Sequence, residues 1–347
     1  MTMKRVLIGL VLSAMGFSLS RSQSPFSREI DGMILKGMDY TFLCRFDSAL
    51  TVFETLERLL PDEIVGPFYR AATLQSRMMD YETDLWGQEF TFQIDKAIRI
   101  GEEKLKQAVP GAWDLFYLGN AYSYKGLHLA KSGSLLAGIV NARRGVAFLK
   151  KALSSDSTLY DALIGVGGYE YWSSRFYRYL SWLPWISNDG EHGIRMVKKG
   201  IEKGTFSYCV GLCNLGWIEY DRKNYDSALV LFDKGLQHYP GSRFFLWGYA
   251  DCLYKLNRFD ESIVWYERLL DSIRKGDVNN GYNEAECSMK LALSHYELKN
   301  YDSALQYSDA ILALAPDAKI AKRMVKQKQT AQAIRKKCSR AMKGENR

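Results

Sequence analysis

Gly216-Trp217-Ile218-Glu219-Tyr220-Asp221-Arg222-Lys223-Asn224-Tyr225-Asp226-Ser227-Ala228 is the stretch on which the fold turns. Two small residues, Gly216 and Ala228, stand twelve apart, and the spacing continues with Phe232, Gly235 and Pro240. Small residues spaced this way let two antiparallel helices approach closely, an aromatic fills the gap to the next pair, and a proline ends the second helix. The tetrapeptide Tyr-Asp-Ser-Ala returns at 301–304, with Phe46-Asp47-Ser48-Ala49 and Phe259-Asp260-Glu261-Ser262 as variants. Each opens a second helix, where an aspartate or serine side chain is expected to accept free backbone N–H groups as a cap.

Laying segments on one another extends the pattern at a period of about 34 residues. Residues 30–63 carry Gly37, Tyr40, Ala49, Phe53, Leu56 and Pro61 in the same places; the unit from Arg243 carries Ala250, Leu253, Ser262, Tyr266 and Leu269; the unit from Ala285 carries Ala292, Ala304, Ile311 and Pro316. Between 64 and 206 the pattern is stretched. Gly119 and Tyr122 are followed late by Gly145, Leu149 and Ala152, and Gly168 and Tyr171 late by Gly193, Val197 and Gly200. A long insert is expected between the helices of both units. A weaker pair spans 65–110, with Ala71, Ala72, Ala97, Gly101 and Leu105.

These residues resemble the tetratricopeptide repeat (TPR), specifically in four units and loosely in three. The resemblance implies an all-α, right-handed α-α superhelix of about seven helix pairs over residues 23–318, two pairs carrying extended inserts. It also implies that the first helices line a concave face, where repeat positions 2, 5, 9 and 12 contact a ligand. Those positions hold Trp217, Tyr220, Phe244, Trp247, Tyr254 and Tyr296, an aromatic groove suited to an extended peptide or, alternatively, to sugar rings of a cell-wall polymer. Chaperone-binding relatives grip a C-terminal carboxylate with Lys and Asn at positions 5 and 9. Here those positions hold Cys213 and Trp217, Trp247 and Asp251, and Met289 and Leu293, so that clamp is absent.

The ends read differently. Lys4 and Arg5 precede an apolar run from Val6 to Leu19, then Ser20-Arg21-Ser22. That is a signal-peptide layout with cleavage expected after Ser22, and the run is shorter than the roughly 20 residues of a membrane span. Residues 1–22 are therefore read as an export signal and the protein as periplasmic or secreted, in a bacterial cell envelope. From Lys319 onward there are eleven Lys or Arg against Glu345 alone, which leaves 36 basic and 38 acidic residues in the rest of the chain. The net charge of +8 thus belongs to a basic tail, residues 319–347, in which Ile320, Met324, Ala331 and Ile334 make an apolar helical stripe suited to capping the stack. A near-neutral body argues against a nucleic-acid groove.

A second candidate surface is the run 169–186, with eight aromatics among eighteen residues. Trp172, Tyr177, Trp182 and Trp185 are its candidate partner contacts, toward a protein, an envelope glycan or a membrane surface, with burial against the companion insert Gly126–Arg144 as the structural alternative. The six cysteines, Cys44, Cys209, Cys213, Cys252, Cys287 and Cys338, read as buried thiols, the first five within helices, and no cofactor or metal spacing accompanies them. The histidines His128, His192, His238 and His295 are scattered, and no catalytic motif is present. Asp189 and Glu191 beside His192 are the one acid–base grouping, in a run of turn residues. A non-catalytic interaction scaffold is the expectation.

Overall fold

Sixteen helices and no strand make up the residues described by the structure, a computed structural model covering 23–107, 109–175 and 189–344. Seven antiparallel pairs follow one another: α1 (Arg28–Phe42) with α2 (Phe46–Leu59), α3 (Val65–Asp80) with α4 (Gly87–Gln107), α5 (Ala112–Lys131) with α6 (Leu135–Ser155), α7 (Ala162–Arg175) with α8 (Gly190–Lys203), α9 (Tyr208–Asp221) with α10 (Tyr225–His238), α11 (Arg243–Lys255) with α12 (Phe259–Arg274), and α13 (Tyr282–Glu297) with α14 (Tyr301–Ala313). A short α15 (Ala318–Arg323) and α16 (Val325–Met342) finish the chain. The export signal lies outside the described residues.

The turn inside four of the pairs has one construction. Cys44, Lys223, Asn257 and Lys299 all sit at left-handed φ, between 57° and 66°. In each case the N–H of that residue and of the next reach back to carbonyls of the last helical turn, as with Lys223 N to Tyr220 O at 3.0 Å and Asn224 N to Glu219 O at 2.9 Å. This is a Schellman ending, repeated four times at repeat position 15. It corrects two expectations. Cys44 lies in the turn rather than in a helix, and the second helices beginning at Phe46, Tyr225, Phe259 and Tyr301 have no side-chain cap; their aspartates sit in the first turn, where they face the positive end of the helix dipole.

Packing follows the small-residue spacing. The Phe232 ring is wedged between α9 and α11 so tightly that a Cβ on Gly216 or Gly248 would fall 2.7 or 2.3 Å from it. Phe53 occupies Gly37 in the same way, 2.2 Å from where a Cβ would stand. Each ring is fully buried, worth about 1.5–3 kcal/mol of transfer free energy. Successive first helices touch one another, α3 with α5, α7 with α9 and α9 with α11, which places them on the inside of the curve.

The stretched third pair contains no inserted loop. Its helices are simply longer, 20 and 21 residues against 14 each in α9 and α10, and only Ser132-Gly133-Ser134 joins them. The late position of Gly145 is thus a matter of helix length. Between α7 and α8 the corresponding region, residues 176–188, lies outside the described residues, and with it the expected packing of that run on Gly126–Arg144.

The solenoid closes on itself. Phe42, at the end of α1, stacks on Tyr239 at 5.2 Å and on Phe245 at 5.7 Å, while Phe244 meets Phe42 and Phe46 edge-on. Beside them Arg243 donates through Nε to both Asp80 carboxylate oxygens, at 2.9 and 3.0 Å, with both side chains buried. Burial alone would lower the Arg243 pKa, but Asp80 holds it above its ordinary value, so the guanidinium stays charged. Asn280 donates to the carbonyls of Tyr81 and Glu82, Asn283 to that of Asp80, and from α15 Lys319 and Arg323 pair with Asp84 and Glu82, each at 2.5 Å. The first two pairs are therefore clasped by the last three. The tail's stripe of Ile320, Met324, Ala331 and Ile334 is buried, α16 lying on α13 and α14.

Candidate functional site

The six residues predicted for the groove fall in two groups. Trp217, Tyr220, Trp247 and Tyr254 lie half-buried on α9 and α11, against the core of the fifth and sixth pairs. Trp217 packs edge-on to Phe232 at 5.2 Å and to Tyr220 at 5.5 Å, and Tyr254 edge-on to Phe259 at 5.6 Å. Tyr296, on α13, tilts against Tyr301 at 5.9 Å, and Lys337 of α16 lies 5.4 Å from its ring centre. Phe244 stands apart from these, since its ring is taken up by Phe42 and Phe46 in the clasp.

Between Tyr220, Tyr254 and α13 lies a polar node that the motif reading did not single out as a site. Asp251, at repeat position 9, accepts from Lys290 Nζ at 2.8 Å and from the Tyr266 hydroxyl at 2.5 Å, and Lys290 also lies 5.2 Å from the centre of the Tyr254 ring. The Asp251 and Lys290 side chains retain only about one-sixth of their exposure, 16% and 15%. Burial pulls the Lys290 pKa down, but Asp251 more than offsets it and the net direction is up; burial and Asp251 push the Tyr266 hydroxyl well above the usual phenol range. The node thus presents a charged, hydrogen-bonded pair inside an aromatic wall, a chemistry suited to main-chain amides and polar side chains of an extended segment.

A denser aromatic group sits elsewhere, on α3 and α5. Phe68, Tyr69, Trp113, Phe116 and Tyr117 are all buried in one cluster, and the chain's own first described residues lie over it. The Trp113 indole N–H donates to the Gln23 carbonyl at 2.8 Å, and Phe26 packs 6.3 Å from Tyr117. Trp113, Phe116 and Tyr117 at i, i+3 and i+4 are the sequence signal of this shared helix face, in a unit whose repeat spacing is degenerate.

Of the insert residues, Trp172 is 39% exposed at the end of α7, edge-on to Tyr171 at 5.1 Å. Tyr177, Trp182 and Trp185 lie outside the described residues. The acid–base grouping is dispersed. Asp189 accepts from the His192 backbone as the cap of α8, Glu191 pairs with Arg222, and the His192 ring bonds Glu170 at 2.7 Å. No group of three metal-ligating side chains occurs among the described residues. The six cysteines are free thiols, and four of them, Cys209, Cys252, Cys287 and Cys338, are buried. A cavity beside the clasp, lined by Asp80, Arg243 and Asn283, has room for about one water.

A family model for the tetratricopeptide repeat matches residues 219–280, the segment that includes α10, α11, α12 and the node's Asp251. Over those residues the chain matches the tetratricopeptide repeat, and the recurrent turn and the seven helix pairs on either side have the same construction. Among solved structures, the Cut9–Hcn1 hetero-tetramer of the APC/C shares the fold at a TM-score of 0.54, with 14% identity, over 88% of this chain and 52% of that one. The C-terminal part of a TPR repeat-containing protein from Cytophaga hutchinsonii matches at 18% identity over 85% of this chain and 98% of its own, with a TM-score of 0.44. YrrB, described as a TPR protein with an unusual peptide-binding site, matches at 18% identity over 67% and 97%, with a TM-score of 0.41. No curated protein sequence matches the chain.

Proposed function

We propose that this protein is a non-catalytic scaffold of the cell envelope that docks an extended peptide or a partner protein on the concave face of α9, α11 and α13. The tetratricopeptide fold is in general that of a protein-interaction scaffold, and it is typically non-catalytic. The observation that carries the finer reading is the Asp251–Lys290 pair set among half-buried Tyr220 and Tyr254. A stack held together only by apolar packing gains nothing from placing a charged pair there, because removing it from water costs more than a surface ion pair returns. As a docking feature it supplies one acceptor and one donor of fixed orientation, beside rings that offer area at low entropic cost. The envelope assignment draws its support from Lys4, Arg5 and the apolar run that follows.

Affinity capture from an envelope extract tests it, with the wild-type chain beside a Trp217→Ala, Trp247→Ala variant of unchanged far-ultraviolet helicity. Specific proteins retained by the wild type and lost by the variant are expected. An identical set retained by both, or glycan alone, would sink the peptide-docking reading.

A further inference from the structure

The first described residues of the chain are laid out as a bound peptide would be. Ser27 begins α1, its hydroxyl accepting from the Ile30 N–H at 3.3 Å, so Gln23-Ser24-Pro25-Phe26 stand outside the helix. Pro25 fixes its own backbone and keeps Ser24 out of the helical region, which favours an extended segment. That segment crosses the aromatic cluster of α3 and α5. The Trp113 indole N–H donates to the Gln23 carbonyl at 2.8 Å, and three residues on the half-buried Phe26 ring packs 6.3 Å from that of Tyr117.

The platform beneath is braced from both sides. On α5 the rings of Trp113, Phe116 and Tyr117 lie 5.2 to 5.9 Å from one another, and Phe68 and Tyr69 of α3 reach Tyr117 at 5.7 and 6.0 Å. Phe206, from the turn before α9, meets Trp113 edge-on at 5.8 Å. Asp161 pins that turn, accepting from the N–H groups of Thr205 and Phe206 at 2.8 and 2.7 Å. The segment's own hold is slight by comparison. Gln23 and Pro25 are exposed, and the Ser24 hydroxyl turns back to Asp31 of α1, at 2.5 Å, rather than to the platform. A stretch with so little buried contact opens locally at low cost.

We propose that residues 23–26 are a displaceable strap over a second peptide-docking platform, whose partner is an extended segment of another protein. That segment sets a main-chain carbonyl on the Trp113 indole and, three residues later, an aromatic side chain against Tyr117. The contacts themselves define this chemistry. Any residue offers a carbonyl, so Trp113 does not read the Gln23 side chain, and the ring at the fourth position is the selective part. Trp and Tyr platforms favour such a guest, because they give large contact area at low entropic cost. Baring Trp113, Phe116 and Tyr117 together would expose a contiguous apolar patch, so the platform favours an occupant at all times, its own or a foreign one. Held by its short link to α1, the strap competes as a local ligand and lowers the apparent affinity for the partner. The platform lies on helices other than α9, α11 and α13 and does not rest on the docking reading made for them.

The test titrates the full chain against a heptapeptide with the sequence of residues 23–29, Gln-Ser-Pro-Phe-Ser-Arg-Glu, labelled at its C-terminus and read by fluorescence anisotropy. Pro25→Gly, Phe26→Ala loosens the strap at positions outside α1, and Phe26→Ala alone is the milder form. Saturable binding about tenfold tighter to the loosened chain than to the wild type is expected. Adding Trp113→Phe should weaken it about fivefold, and a peptide with alanine in place of its phenylalanine should not bind. The wild type, taken to about millimolar peptide, should show the same preference for the phenylalanine peptide, so the test does not hang on the folding of a variant. Loosened chains of native helicity that bind no tighter than wild type, or binding indifferent to the peptide's phenyl ring, overturn the proposal. Loss of binding on Trp217→Ala, Trp247→Ala but not on Trp113→Phe would put the peptide on α9 and α11 and overturn it too. So would wild-type dimers that Phe26→Ala dissolves in sedimentation equilibrium, since these assign the platform to the strap of a second copy.

Discussion

A single backbone angle carries much of the repeat. Residue 15 of four units takes the left-handed conformation that an L side chain enters at a cost of about 1–2 kcal/mol, and only Asn257 is of a type that visits it readily. Lys223 and Lys299 are exposed, so their side chains return nothing for that strain. Lys299→Gly is expected to stabilise the protein by about 0.5–1 kcal/mol, read as a higher urea midpoint at constant slope, and Asn257→Gly by distinctly less. Equal effects at both would mean that the turn is not the strained Schellman ending described. The motif reading found the residues on either side of this turn, Gly216 and Ala228, because packing selects them by size. It missed the turn itself, since lysine and cysteine carry no turn signature, and so assigned the ordering of the second helix to an aspartate cap that does not form.

At the scale of the helix pair, small residues act in two ways that the structure separates. Gly32, in the middle of α1, would meet nothing within 4 Å if it bore a Cβ. Its replacement by alanine is expected to stabilise by about 0.5–1 kcal/mol through helix propensity. Gly145→Ala instead drives a methyl against the Gly119 carbonyl and Ser123, backbone that cannot step aside, and should destabilise by about 1–3 kcal/mol. Thermal melts of the two variants, moving in opposite directions, would bear this out; a neutral Gly145→Ala would contradict the close approach of the two backbones there. Sequence spacing showed that Gly119 and Gly145 belong together, yet it could not tell a lengthened helix from an inserted loop. Both delay the next small residue equally, and only the continuous helical hydrogen bonding through Lys131 and from Leu135 decides between them.

For the whole molecule, number of pairs and class of fold were legible because they rest on local repetition. Closure was not. Asp80 and Arg243 are 163 residues apart, and Glu82 and Arg323 are 241 apart, with nothing in either neighbourhood to announce the other. The consequence for the candidate site is concrete, because one predicted groove residue, Phe244, serves the clasp, while Trp217, Tyr220, Trp247 and Tyr254 pack on the core of the fifth and sixth pairs and Tyr296 packs against Tyr301. The solenoid is therefore closed on itself, its first pairs held against its last. Zero-length carbodiimide cross-linking of the dilute protein, followed by peptide mass spectrometry, tests this most directly, since it joins only amines and carboxylates already in contact. A link between Lys319 and Asp84, formed within single chains and independent of dilution, is the predicted result; its absence while the local pairs Lys104–Glu63 and Lys290–Asp251 link readily would contradict the closed form.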